Sequence, residues 1–318
     1  MQYNHGFQTF GGPIMNLVSL KNWSTEDIIE VVEGSIAIKN SPEQYANATS
    51  RRSLAMLFQK TSTRTRCAGE VGMTQLGGHA VFLDWRTTNF ALADLRDEIR
   101  VLSAYSDAIL ARFLKHADVV KAAESAAVPL INGCCDRYHP TQALGDLVTI
   151  QEKLGRIEGV KLTYVGVHNN VCNSLIIAGL KTGMEITVVA PEINPAAVDE
   201  ELYETARKAG TYKASDQLHQ AIADSDVVYT DTWVDMEFFT DPAFKEEKER
   251  RIELLSPYQL NAELLAGQDV LVMHCLPAHR GYEVSGEIVE DPRSIMFDQS
   301  ENRLHSMKGL ILKLLGIL

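Results

Sequence analysis

The 318-residue chain lacks the features that would hold a small extracellular scaffold together. Its five cysteines (Cys67, Cys134, Cys135, Cys172 and Cys275) form no C-x-x-C pair and no Cys/His pattern with zinc spacing. An odd count in so long a chain argues against a secreted disulfide framework. No apolar run approaches the ~20 residues needed to span a bilayer. The N-terminus, MQYNHGFQTFGG, has no basic stretch followed by an apolar one, so no secretory signal is expected. Cations are in deficit: 30 Lys and Arg against 42 Asp and Glu give a formal charge of −12, poorly suited to nucleic acid or an anionic membrane. Val165-Gly166-Val167 is not followed by Gly-x-x-Gly, so a dinucleotide fingerprint is missing as well. These absences lead to the expectation of a cytoplasmic protein that binds neither nucleic acid nor membrane, and in which the Asn47–Thr49 sequon is incidental. The length suffices for two ordinary domains.

What is present is an alternation of short apolar runs and helical patterns. Strands are expected at 54–58, 80–83, 108–111 and 128–131, with helices beginning near Ser24 and spanning 66–76, 97–105, 119–125 and 141–154. The pattern restarts with strands at 161–167, 185–190, 227–230 and 269–274, and a last one at 295–297. Helices are expected at 173–182, 198–209, 218–223 and 302–318. This predicts an α/β protein of two doubly wound parallel-sheet domains joined by helices, covering 1–150 and 151–300. Residues 301–318 form a C-terminal helix returning to the first domain. Ligands of such sheets bind beyond the carboxyl ends of strands, so polar motifs there matter most.

Five such motifs follow strands. Ser62-Thr63-Arg64-Thr65-Arg66 opens a helix. The unpaired N–H groups of a helix start, short hydroxyls and Arg forks suit a phosphate or phosphonate, although a solvated, N-capped turn has the same composition. His139-Pro140-Thr141-Gln142 opens another helix. A neutral His139 could polarise a carbonyl and Gln142 could read an NH₂; the plainer alternative is a capping residue with an exposed amide. Cys275, in Met273-His274-Cys275-Leu276-Pro277, is either a thiolate or a small buried residue. Its neighbour His274 points to the opposite face of the strand, which excludes a Cys–His nucleophile pair. Asp231, in Tyr229-Thr230-Asp231-Thr232-Trp233, is a candidate ammonium anchor. Asn169 and Asn170 are candidate carboxylate or amide ligands, and all three are also turn-forming types. Taken together, the motifs describe a cleft with an anion end and an amine end.

The ordered set "STRTR" (62–66), Arg112, "HPTQALGD" (139–146), "NN" (169–170), "DTW" (231–233), "HCLP" (274–277) and "ENR" (301–303) resembles the aspartate/ornithine carbamoyltransferase family, from about residue 20 to the C-terminus. "DTW" and "HCLP" resemble its ornithine-type branch. The resemblance implies carbamoyl phosphate as donor, an amine as acceptor, no metal and no organic cofactor. It also implies a homotrimer, or an assembly of trimers, with sites at subunit interfaces. By motif position, Ser62, Thr63, Arg64, Thr65 and Arg112 would bind phosphate. His139, Gln142, the Cys275–Leu276 backbone and Arg303 would surround the carbamoyl group, with His139, Cys275, Arg303 and Arg112 serving catalysis. Asn169, Asn170, Asp231, Asp235 and Met236 would hold the acceptor. The first domain would then take carbamoyl phosphate and the second the amine.

Two departures bear on specificity. The ornithine branch usually continues D-x-W with x-S-M-G, but here Asp235 replaces Ser and Glu237 replaces Gly. Added carboxylates would repel an α-carboxylate and welcome a second ammonium, as in putrescine, and the tail "FDQSENRLHSMKGL" looks like that branch too. Asn169-Asn170 favours an amino acid such as ornithine. The segment 84–99 also departs, with Asn89 standing where a Gln would reach a neighbouring subunit's donor site. Ornithine is the expected acceptor and putrescine the alternative; a non-catalytic anion-binding regulatory protein is the rival of another class.

Overall fold

The computed structural model describes residues 14–234, 239 and 241–318. The first half of the chain runs α1 (Thr25–Asn40), β1 (Ser53–Phe58), α2 (Thr63–Gln75), β2 (His79–Asp84), α3 (Leu95–Tyr105), β3 (Ala108–Arg112), α4 (His116–Ser125), β4 (Leu130–Cys134) and α5 (Pro140–Leu154). The second begins with β5 (Lys161–His168), α6 (Asn170–Thr182), β6 (Glu185–Ile193), α7 (Glu200–Lys208), β7 (Tyr212–Ala214) and α8 (Leu218–Ala223). It ends with β8 (Val227–Thr230), α9 (Lys245–Leu255), β9 (Leu271–His274), α10 (Gly286–Val289) and α11 (Met296–Leu314).

The strands form two sheets, in orders β2-β1-β3-β4 and β7-β6-β5-β8-β9, with every pairing parallel. Helices cover both faces, which is why Leu54–Phe58 of β1, an unbroken apolar run, and all of β4 are buried. In each sheet the winding direction reverses once, between β1 and β3 and between β5 and β8. Chain leaving two neighbouring strands at such a point departs to opposite faces and leaves a crevice at their carboxyl ends.

The elements that position the site meet around α5 and α11. Residues Pro140 to Ile150 of α5 are all buried, because the helix is packed against β4, α1, α6 and α11. The expected return of the C-terminal helix is observed: α11 lies on α1, α2 and α5. Burying Asp146, Gln142 and Thr149 in this core is tolerable only if each polar atom finds a partner: Gln142 meets Asp146 and Arg303, Asp146 also meets Gln299 and Tyr229, and Thr149 meets Gly145 O and Asn302.

The expected last strand at 295–297 is not formed. Residue Ile295 donates its N–H to Val272 O, Ser294 makes a single bridge to Val272, and the chain enters α11 at Met296. Helix α2 starts at Thr63 rather than near 66, and α6 starts at Asn170 rather than 173. These earlier starts place the polar motifs on helix N-termini.

Candidate active site

Loops from both reversal points line one cavity of about 410 Å³. At its anion end, the Ser62 side chain caps α2 by accepting from Thr65 N at 3.3 Å. The N–H groups of Thr63 and Arg64 belong to the first turn and have no intrahelical acceptor. The Arg64 and Arg112 side chains join them, with Ser62, Thr63 and Thr65 among the lining residues. Nε of Arg112 and Nε of Arg303 are buried without a hydrogen-bond partner among the described residues. Such orphaned donors are costly unless a ligand satisfies them. Burial, with Arg64 and Arg112 close by, brings the pKa of Arg303 down to about 10, so the guanidinium stays charged at neutral pH. Burial and the Arg112 charge likewise lower Arg64.

His139 forms the N-terminal boundary of α5, where it is buried and its N–H donates to Ser174 Oγ at 2.8 Å. Burial, reinforced by Arg303, Arg112, Lys60 and Arg64, holds its imidazole well below the usual histidine range, and the ring is neutral. Gln142, one turn on, accepts from Arg303 NH1 through Oε1 at 2.5 Å and donates from Nε2 to Asp146 at 2.8 Å. Asp146 also accepts from Gln299 Nε2 at 2.8 Å and Tyr229 OH at 3.2 Å. Burial raises its pKa to about 6 even so.

At the amine end, Asp231 follows β8 and is the one carboxylate among the described lining residues. Its Oδ1 accepts from Thr232 N at 2.7 Å and from Cys275 Sγ at 2.8 Å, and its Oδ2 from Asn169 Nδ2 at 2.7 Å. Burial and the neighbouring Asp231 push Cys275 well above the normal thiol range. In this arrangement Cys275 is a thiol that donates to Asp231. Leu276, at φ 54°, turns the chain sharply, and its N–H donates to His274 Nδ1 at 2.8 Å. Nε2 of His274 is 3.2 Å from Glu283. Both nitrogens of His274 are thus engaged, so there is no Cys–His nucleophile pair. The cluster Asp231, His274 and Cys275, with ligand atoms within 4.8 Å of one another, offers a metal no free ring nitrogen.

Asn169 is the N-cap of α6: Oδ1 accepts from Val171 N, Cys172 N and Tyr164 OH, at 3.0, 3.2 and 3.1 Å. Asn170 Nδ2 donates to Cys135 O at 2.5 Å and to Cys134 Sγ at 3.3 Å. Both asparagines line the cavity, but most of their amide groups hold the protein together. Asp235 and Met236, the remaining expected acceptor ligands, lie outside the described residues, as does Glu237.

The family model for the aspartate/ornithine carbamoyltransferase carbamoyl-P binding domain matches residues 15–152, and that for the Asp/Orn binding domain matches 158–314. The chain belongs to the aspartate/ornithine carbamoyltransferase family. Among its curated relatives in this carbamoyltransferase family, the ornithine carbamoyltransferase of Pyrococcus horikoshii is 40% identical over 312 residues, 95% of this chain and 96% of the relative. That of Methanoculleus marisnigri is 44% identical over 270 residues, 83% of this chain and 84% of the relative. The solved ornithine carbamoyltransferase of Pyrococcus furiosus superimposes with a TM-score of 0.87 at 38% identity, covering 96% of this chain and 98% of that one.

The cavity of this carbamoyltransferase also takes in Lys60, Thr61, Cys134, Val171, Thr232 and Pro277, to none of which the sequence motifs assign a role in the site. Lys60 and Thr61 immediately precede the Ser/Thr/Arg motif, and Cys134 ends β4. Proximity to a strand's carboxyl end was the signal that could have found them. Chemically, the arrangement can hold a dianion against three guanidiniums, present a neutral imidazole to a carbonyl, and hold an ammonium at Asp231.

Proposed function

We propose that this chain transfers the carbamoyl group of carbamoyl phosphate to the side-chain amine of ornithine, releasing phosphate. The observation that carries the reading is the convergence of Arg64, Arg112, Arg303, neutral His139 and Asp231 on one cavity. The neutral amine attacks the carbonyl carbon, the oxygen takes up negative charge, and the C–O bond to phosphate then breaks. His139 and Arg303 stabilise that oxygen, and one preorganised donor there contributes about 3–4 kcal/mol. Arg64, Arg112 and the first turn of α2 receive the charge that passes to the leaving phosphate. Gln142, through Oε1, and the Cys275 and Leu276 carbonyls accept from the carbamoyl NH₂. Asp231 anchors the acceptor's ammonium. An alkyl amine of pKa ~10.4 must also lose a proton to solvent before attack, about 4 kcal/mol at pH ~7.5; the neighbouring guanidiniums assist that loss, and the proton the nitrogen sheds after attack leaves with the phosphate.

The ornithine reading is supported by the relatives' names. Residues 1–150 serve carbamoyl phosphate, 151–300 the acceptor, and 301–318 return Arg303 to the first half. The assembly is a homotrimer. Val71, Val81, Leu92, Val101, Tyr105 and Leu114, all in the first half, are exposed apolar groups that a subunit contact would cover. Asn89 is exposed, as a residue reaching a neighbouring subunit's donor site must be. Among the described residues no helix is long and apolar enough to cross a membrane.

The test is ureido-product formation from carbamoyl phosphate with ornithine, putrescine or aspartate, alongside light scattering of the purified protein. Turnover with ornithine is expected. Preference for putrescine would replace the acceptor, aspartate turnover would overturn the branch, and silence across the panel would favour an anion-binding regulatory protein.

A further inference from the structure

A guanidinium only donates hydrogen bonds and a carboxylate only accepts them. Arg303 and Asp146 therefore fix the direction of every bond strung between them. Gln142 gives its NH₂ to Asp146, so it shows its carbonyl oxygen to Arg303 NH1. Arg303 NH2 in turn donates to Thr141 Oγ1 at 3.3 Å. The Thr141 hydroxyl has one proton left to give. Two partners are in range: Gly133 O at 3.5 Å, at the limit of a hydrogen bond, and His139 Nδ1 at 3.3 Å, which accepts or donates according to its tautomer.

We propose that the Thr141 hydroxyl donates to His139 Nδ1 and so holds the ring in the tautomer whose Nε2 carries the proton. Thr141 is then a positioning residue, set by Arg303 and acting through His139. Because His139 is neutral, its two tautomers compete, and the hydrogen bond at one nitrogen decides which proton the other presents. Nε2 of His139 has no protein partner among the described residues, and the ring lines the cavity. With Nε2 protonated it offers a donor to an oxygen gaining negative charge; in the other tautomer it would turn a lone pair on that oxygen. The inference rests on the carbamoyl-transfer reading for its consequence, but not for its geometry.

The experiment is nitrogen NMR of protein labelled with ¹⁵N-histidine, with His139 assigned by the signal lost in His139→Gln. In the unsubstituted protein at neutral pH, Nε2 should be pyrrole-type and Nδ1 pyridine-type. Thr141→Val removes the donor: the His139 signals should move toward a mixture of tautomers and kcat should fall about tenfold or more, with a smaller change in KM for carbamoyl phosphate. Thr141→Ser should hold the tautomer and recover most of kcat. A protonated Nδ1 in the unsubstituted protein, or a Thr141→Val protein that keeps both the Nε2–H signal and kcat, overturns the proposal. The first spectrum needs neither a variant nor turnover, so its failure is distinct from failure of the transfer reading, which would appear as absent ureido product.

Discussion

Gly145 of α5 lies against the Arg303 side chain of α11: a Cβ built there would come within 2.9 Å of Arg303 Cδ. The guanidinium beyond that carbon is committed to Gln142, Thr65 and Thr141. The missing methyl group is therefore what allows α11 to bring Arg303 down onto the cavity.

Gly145→Ala should separate folding from catalysis. Alanine gains up to about 1 kcal/mol of helix propensity, offset by the clash, so the melting temperature should move by only a few degrees. The kcat should fall about tenfold or more as the Arg303 fork is displaced. A melting curve beside steady-state kinetics decides it; unchanged kcat would mean that Arg303 tolerates the shift.

Asp146 predicts opposite pH effects on stability and activity. Its folded pKa, raised to about 6 from 3.8, means that the native state binds a proton the unfolded chain does not between those values. Its contribution to stability is therefore fully present below pH ~3.8 and lost as pH rises through about 6. Activity should run the other way, since protonation removes an acceptor that orients Gln142. An acid limb in kcat near pH 6 is expected, and it should be absent from Asp146→Asn, which should be slow throughout. A limb retained in that variant would assign the titration to another group.

Cys275 should resist alkylation. As a half-buried thiol whose pKa is pushed up by desolvation and by the bonded Asp231, it lacks the thiolate that reacts with iodoacetamide, whereas Cys67 is exposed. Peptide mass spectrometry at pH 7 should show Cys67 modified at least about tenfold faster. Rapid labelling of Cys275 would show a thiolate instead.

His139 should make the protein less stable in acid. Its folded pKa lies well below 6.5, so between the two values the unfolded chain binds a proton that the native state refuses. The contribution is present above pH ~6.5 and lost as pH falls through the folded value, at no more than about 1.4 kcal/mol per pH unit. Urea melts from pH 7.5 to 5.5 should show a shallower acid slope for His139→Gln than for the unsubstituted protein. Equal slopes would place the protonation elsewhere.

The polar motifs after strands were legible because a parallel strand announces itself by an apolar run, and whatever follows it lies at the sheet's carboxyl edge. Ser62–Arg66, His139–Gln142, Asp231 and Cys275 were found that way. Helix α9 was missed because only Leu255 among its residues is buried; ion pairs such as Arg251–Glu247 mark it instead. The short strand β7 offers one buried residue, Tyr212, too little for an alternation to show. Ile295-Met296-Phe297 read as a strand because its residues suit one, yet after the single bridge at Ser294 the chain turns into α11. Asn169 lines the cavity and also caps α6 through three accepted hydrogen bonds, and that second role depends on where α6 begins.

By itself the sequence determined which groups border the cleft, since strand period and helix-start chemistry are local and survive without knowledge of partners. The tertiary structure decided how those groups are oriented. Arg303 meets Gln142 across 161 positions of chain, and Gln299 meets Asp146 across 153. The direction of a hydrogen bond, the tautomer of His139 and the protonation of Cys275 follow from what is buried beside each group, and a linear pattern does not specify those neighbours.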